Sequence, residues 1–453
     1  MKQWIANAGL AGMVAVLAAC GSSRNLEVAS SEPQVEGVLH ASNMVCASSG
    51  SLDTGFGTSG KTLAGWGNTS IDQGETIAIQ RNSGSDKLIV AGTVPKAGGF
   101  GYAFGVLRLG SDGVLDINFN PTNSDGKNKI ALGPNSAYAR AVAIDSQKRI
   151  LVAGYYQSTF TSDDFAVVRL DSNGVLDPTF GVNGIQIIPV STGVDQAFAI
   201  TTGSADEVYI AGFASGSGDD FALVKLTNAG QPDTGFGTSG NGIVITAIGT
   251  SGDRAKAIHF DSATNSVTLA GYSYNGSYKD FALARYGISG SLDTTFDLDG
   301  KVTTALTVGN YMDEANAITM DTAGHVIAVG NSNSDFAIAK YSNSGVLNWS
   351  RVTQLSTSSE DARAVKIDAG GKIVVAGYAT GSQQDFAVAR YGALGVLDTT
   401  FNAAGALPGT VMNNIGQADE GKGMIIQSNG RIVVGGFKST PSDQDFAVAG
   451  FCP

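Results

Sequence analysis

The sequence predicts an all-β fold: a seven-bladed β-propeller of four-stranded antiparallel blades, its ring closed by an N-terminal strand that completes the last blade. Three observations carry this. A phenylalanine recurs at Phe104, Phe165, Phe221, Phe281, Phe336, Phe386 and Phe446, at intervals of 50 to 61 residues, within runs that alternate apolar and polar side chains as strands do. A small residue recurs upstream of each (Ala78, Ala141, Ala199, Ala257, Ala317, Ala364, Gly423), followed by a branched or long apolar one (Ile79, Val142, Ile200, Ile258, Ile318, Val365, Met424). Sheets repeated radially crowd most at their innermost strand, which accounts for the smallness. Finally, the chain starts and stops in mid-repeat. Residues 46–56 match the passage from third to fourth strand seen at 170–180, and the seventh copy ends just after its third strand. If residues 51–66 supply the missing outer strand to the blade made by residues 420–451, no sheet edge stays open.

The clearest repeat, residues 361–401, sets out the four strands in order. The first is expected at 363–368. Ala369, Gly370 and Gly371 turn it into the second, 372–378, whose Ile373, Val374 and Val375 suit a sheet buried on both faces. The third is expected at 385–391, and a turn around Gly395 leads to a fourth beginning near Leu397 and Asp398, since glycine takes the positive φ of tight hairpins.

Ahead of the repeats, residues 1–19 read as a lipoprotein signal peptide: Lys2, an apolar run to Leu17, then Leu17-Ala18-Ala19-Cys20. The run of about 15 apolar residues is too short for a permanent span. Leu-Ala-Ala-Cys resembles the lipobox of bacterial lipoproteins. That resemblance implies a lipidated Cys20 and a bacterial envelope protein, and Gly21 in place of Asp points to the outer membrane. Residues 20–45 form the lipidated cysteine and a polar, aperiodic tether of about 25 residues, with a reach of roughly 25–30 Å. Residues 46–453 are the propeller.

Cys46 and Cys452 are the other two cysteines of the chain. They fall on neighbouring positions of the repeat, so a disulfide joining the chain ends is expected in an oxidising compartment. The chain carries 61 glycines, only 15% charged residues and no sustained helical period. The recurring Val/Ala-Gly-Tyr/Phe, Asp-Phe-Ala and Gly-Val-Leu-Asp-x-x-Phe-Gly elements resemble the delta-sixty repeat family of bacterial β-propellers. Two copies depart from the pattern: Ala103-Phe104 replaces Asp-Phe in the first, and Leu347-Asn348-Trp349 replaces Leu-Asp-x-x-Phe in the fifth. The resemblance implies the fold and no particular activity.

Residues 55–62 (Gly55, Gly60, Lys61, Thr62) fit the phosphate-loop pattern by letter, but Leu63-Ala64-Gly65-Trp66 does not continue as the helix that phosphate binding requires. No nucleotide site is expected. His40, His259 and His325 lack metal spacing. Asp195, Asp253, Asp313, Glu360 and Asp419 each stand four residues before the small position, and Asp164, Asp220, Asp280, Asp335, Asp385 and Asp445 begin the third strands. Antiparallel pairing puts both columns on one face of the disc. Either these carboxylates hold loop N–H groups locally, or they form a ligand mouth for a cation such as calcium. Third-strand cations Arg108, Arg169, Lys225, Arg285, Lys340 and Arg390 are expected to pair with Asp116, Asp177, Asp233, Asp293 and Asp398. A net charge of −12 argues against nucleic acid.

The expected function is a lipid-anchored envelope propeller that binds a protein or glycan partner through its loop face without catalysis. The alternatives are a polysaccharide hydrolase or lyase with carboxylates at the channel mouth and a structural subunit of an envelope assembly. No cofactor is implied beyond calcium.

Overall fold

Each repeat folds into one four-stranded antiparallel sheet, and seven such sheets follow one another along the chain. The computed structural model describes residues 44–453 other than 68–70, 83–84, 99, 160–161, 217, 308 and 310. The expected signal peptide, Cys20, His40 and the tether to residue 43 lie outside the described residues.

Blade 6, built from the clearest repeat, has its first three strands at Glu360–Ile367, Ile373–Thr380 and Gln384–Tyr391. The fourth corrects the sequence expectation: it is Thr410–Asn413, well beyond Leu397. Leu397 makes an isolated bridge to Tyr391, and the residues after it form a turn. The N–H groups of Phe401 and Thr400 donate to the Asp398 backbone carbonyl and carboxylate. This folds wholly buried Phe401 beneath the Arg390 guanidinium, 4.8 Å from the ring centre. Asp-x-x-Phe is thus a side-chain-capped turn and not a strand start. Blade 5 confirms the reason: with Asn348 and Trp349 in place of Asp and Phe, its fourth strand Leu347–Thr353 follows the third directly.

Blade 7 is composite. Its inner strands are Ala418–Ile426, Ile432–Thr440 and Asp443–Phe451, and its outer strand is Lys61–Ala64 from the other end of the chain. Cys46 and Cys452 are disulfide-bonded beside this seam. The seven third-strand phenylalanines are all buried between blades.

Every first strand carries a β-bulge at the same place. In blade 6 the register jumps from Ala362↔Gly377 to Ala364↔Ala376, leaving Arg363 unpaired. The recurring glycine opposite follows from this: a Cβ on Gly377 would lie 1.9 Å from the carbonyl oxygen of Asp361. A bulge next to a site re-aims a side chain, and here the unpaired residues are aimed at the ring axis. In blade 1 the jump is between Gly74 and Thr76, so the residue equivalent to Ala141 is Thr76 and not Ala78. Ala78-Ile79 repeats the small-then-branched pattern two residues later, which is why the sequence alignment slips there. The register also supplies the acid missing from the column, Asp72, four residues before Thr76.

Candidate functional site: the channel and its mouth

Strand direction sorts the loops. First and third strands start on one face, which carries the loops between second and third strands and between blades; the other face carries the short hairpins, the disulfide and residue 44. The bulges lie in the part of each first strand nearer the loop face.

The acidic column does not form the mouth. Asp195, Asp253, Asp313, Glu360 and Asp419 are at most 1% exposed, and none lines the channel cavity. Each holds the loop that enters its blade. Asp195 accepts N–H bonds from Val190 and Ser191, and Asp253 from Ile248 and Gly249. Asp313 accepts from Leu306, Glu360 from Leu355 and Ser356, and Asp419 from Ile415 and Gly416. Asp72 does the same for Trp66. Burial pushes the Asp195, Glu360 and Asp419 carboxyls upward, against the backbone donors that favour the charged form. Among the described residues no cluster of three or more His, Cys, Asp or Glu side chains is arranged to hold a metal ion.

The third-strand pairs form as expected in five blades: Arg108–Asp116, Arg169–Asp177, Lys225–Asp233, Arg285–Asp293 and Arg390–Asp398, at 2.8–3.0 Å. Lys340 pairs with Asp321 instead, because Asn348 replaces the usual partner. The phosphate-loop look-alike is a turn leading into the outer strand of blade 7, with Lys61 Nζ donating to the Asn414 carbonyl. His325 is held by Asp321.

What lines the axis is a ring of bulge residues, one per blade: Glu75, Arg140, Phe198, Lys256, Asn316, Arg363 and Lys422. They surround a cavity of about 450 Å³ whose lining, with Lys366 added, holds five bases against one acid. Further from the loop face the bore is walled by Ile79, Ile144, Ile367 and Ile426, with Arg81 and Lys366 among them. In a chain of net charge −12 this is a local reversal of sign.

Above the bulge ring sits the aromatic of the Ala-Gly-Tyr/Phe element, stacked beneath cations. Lys279 Nζ is 4.0 Å from the Tyr272 ring centre and Arg254 is 4.1 Å from Phe213. Arg140 lies over Tyr155, which stacks with Tyr138 at 4.9 Å. Such contacts contribute roughly 0.5–2 kcal/mol each and hold the side chains in place. Five of the cations are tied to mouth carboxylates: Arg140 to Glu75, Arg254 to Asp219, Lys279 to Glu314, Arg363 to Asp361 and Lys422 to Glu420. Lys256 differs. Its Nζ sits 4.2 Å above the Phe198 ring centre, and among the described residues it has no hydrogen-bond or ion-pair partner. Burial lowers its pKa to about 8, with Arg363, Arg254 and Lys279 adding to the shift and Glu314 opposing it.

Sequence reasoning missed this ring because the bulge position varies in chemistry from blade to blade. The available signal was a polar or charged residue immediately before the small one, as in Arg140-Ala141, Lys256-Ala257, Arg363-Ala364 and Lys422-Gly423.

The fold and the channel together define the class: a seven-bladed propeller, closed by a disulfide-bonded seam, with a cationic upper bore. A family model described as a domain of unknown function (DUF5122) beta-propeller matches residues 148–180, 206–236, 263–296 and 371–401. No curated protein sequence matches the chain. Among solved structures the chain is similar to a protein of unknown function from Dyadobacter fermentans, at 9% identity and a TM-score of 0.44, covering 69% of this chain and 94% of that one. It is also similar to Sqt1 from Chaetomium thermophilum bound to the N-terminus of ribosomal protein L10 (13%, TM-score 0.46, 85% and 100% covered). A third is a polysaccharide lyase of family PL25, an ulvan lyase bound to -[GlcA(1-4)Rha3S]- (8%, TM-score 0.49, 86% and 96% covered).

Proposed function

We propose that the chain is a non-catalytic binding propeller of the delta-sixty repeat type, anchored to a bacterial envelope membrane through a lipid on Cys20. It takes a protein or glycan partner at the channel mouth on its loop face. Residues 1–19 are its signal peptide and residues 20–45 its tether, and the outer membrane is its place.

The observation that carries the reading is the mouth itself: a rigid shelf of aromatic rings and cations, on a closed scaffold, bordered by loops of varied length. The carboxylates beside the bore, Glu75, Asp219, Glu314, Asp361 and Glu420, are each paired with a cation, whereas glycoside hydrolysis needs one carboxyl free to donate a proton. That favours binding over the hydrolase alternative.

The test is a glycan array, beside capture from solubilised envelope, run with the full chain and with a variant carrying Tyr138→Ala and Tyr274→Ala, the latter ring lying edge-on to Tyr272 at 5.8 Å. A ligand retained by the parent and lost by the variant supports the mouth; equal retention by both removes it.

A further inference from the structure

The propeller's strongest unexplained feature is a half-buried cation, Lys256, with no ion-pair or hydrogen-bond partner among the described residues. Lys256 comes from blade 4, Asn316 from blade 5 and Arg363 from blade 6, so three successive bulges place an ammonium, an amide and a guanidinium side by side on one arc of the bore. Arg363 Nη2 pairs with Asp361 at 2.6 Å, but its Nε is buried without an acceptor. The Asn316 amide group donates to Asp361 and to the Ala362 carbonyl, while its own carbonyl oxygen has no donor among the described residues. Lys366, two residues beyond the small position of blade 6, adds a second lysine with no ion-pair partner among the described residues.

A buried charge without a partner costs free energy that folding alone has no reason to retain. A low-dielectric cleft lined by one sign of charge also focuses its field on whatever enters. The sign of that field selects an anion, although the chain as a whole is acidic.

The neighbouring groups narrow the class. Phe198 lines the cavity beside Lys256, and aromatic rings at the rim offer flat apolar faces. Asn316 and Thr76 provide hydroxyl-compatible polar groups.

Building on the mouth as the binding face, we propose that the upper channel binds an acidic oligosaccharide, seating a sugar carboxylate or sulfate between the Lys256 ammonium and the Arg363 guanidinium. The sugar ring lies against Phe198 and its hydroxyls meet Asn316. The paired cations Arg140 and Lys422 close the circle at longer range.

The experiment is calorimetric titration of the full chain at low and physiological salt with tri-galacturonate, a sulfated trisaccharide, neutral maltotriose and penta-aspartate. The expected result is binding of an acidic sugar, weakening as salt rises, with no binding of maltotriose. K256Q should weaken it at least tenfold, about 1.4 kcal/mol, while K256R retains it. R363Q should weaken it too, with its fold checked by circular dichroism. The uronate and sulfate arms decide which anion is preferred. Equal affinity of K256Q and parent, absence of binding by both acidic sugars, or tighter binding of penta-aspartate would each overturn the proposal. A neutral glycan or protein captured at the mouth and indifferent to K256Q would leave the binding-propeller reading standing and remove only this ligand class.

Discussion

Arg431 and Asp53 meet across the seam of the ring: Nε and Nη2 of the arginine both lie 2.5 Å from one carboxylate oxygen, and neither side chain is exposed. Elsewhere the aspartate of this turn takes its cation from the third strand, but blade 7 has Gly450 at that position. A guanidinium from the start of the second strand reaches in instead, over the ring of Phe56 at 5.5 Å. The pair therefore bolts the N-terminal segment to the C-terminal blade. Removing one partner of such a buried pair costs about 3–5 kcal/mol, whereas an apolar replacement of both costs much less. Asp53→Ala should accordingly lower the denaturant midpoint far more than the double change Asp53→Leu with Arg431→Met. Equal midpoints for the parent and Asp53→Ala would remove the pair from the closure.

The disulfide between Cys46 and Cys452 encloses nearly the whole domain, with a sequence separation of 406 residues. Constraining so long a loop in the unfolded chain stabilises on the order of 5 kcal/mol by the entropy argument, an upper figure. Either Cys→Ser variant should melt lower while keeping the β-sheet circular dichroism of the parent. Identical melting of the parent with and without reductant would contradict this.

Ala257 and Ala364 sit directly after the bulges of blades 4 and 6, less than a tenth exposed and packed against the neighbouring sheet. Leucine at either place presses on the neighbouring sheet and should destabilise by roughly 1–3 kcal/mol. Urea midpoints within error of the parent for both variants would show that the innermost strands have room to spare.

The fold was legible because its signals are periodic: Phe386 and its six counterparts, and the half-blade at each chain end, could be counted off the sequence. Local geometry was less so. Asp398-Thr399-Thr400-Phe401 reads as alternating strand, yet its aspartate caps a turn, and only the exception in blade 5 makes that plain. Ala78 imitated Thr76 because a bulge shifts register without leaving a fixed letter behind. The same cause hid the site. Asp195 and Asp419 recur since every blade must tie down its entering loop, so their recurrence marks scaffold, while the axial residues Phe198, Lys256 and Asn316 differ from blade to blade and leave no column to see.

Lys256 gives the channel a pH signature. Its folded pKa of about 8 lies below the ordinary value of 10.5, so below about 8 both folded and unfolded states hold the proton and the folded state bears the full penalty of the buried charge. Between about 8 and 10.5 the folded chain sheds that proton while the unfolded chain keeps it, and stability rises with pH. Lys256→Met should therefore be more stable than the parent at neutral pH, by about 1–3 kcal/mol, with the advantage shrinking across that window. A variant less stable than the parent at neutral pH would show that the ammonium is satisfied by solvent in the bore.

Lys256, without an ion-pair partner among the described residues, is held ready for an anionic group in the channel, and its own titration reports on that role. The full chain, with lysines dimethylated by ¹³C-formaldehyde and Lys256 assigned by difference against Lys256→Arg, is followed by NMR with and without saturating acidic trisaccharide. The expected result is a Lys256 pKa near 8 in the free protein and a rise of about one unit or more on binding, since a bound carboxylate or sulfate favours the charged form. A Lys256 that titrates at the same pH with and without the acidic sugar would contradict it.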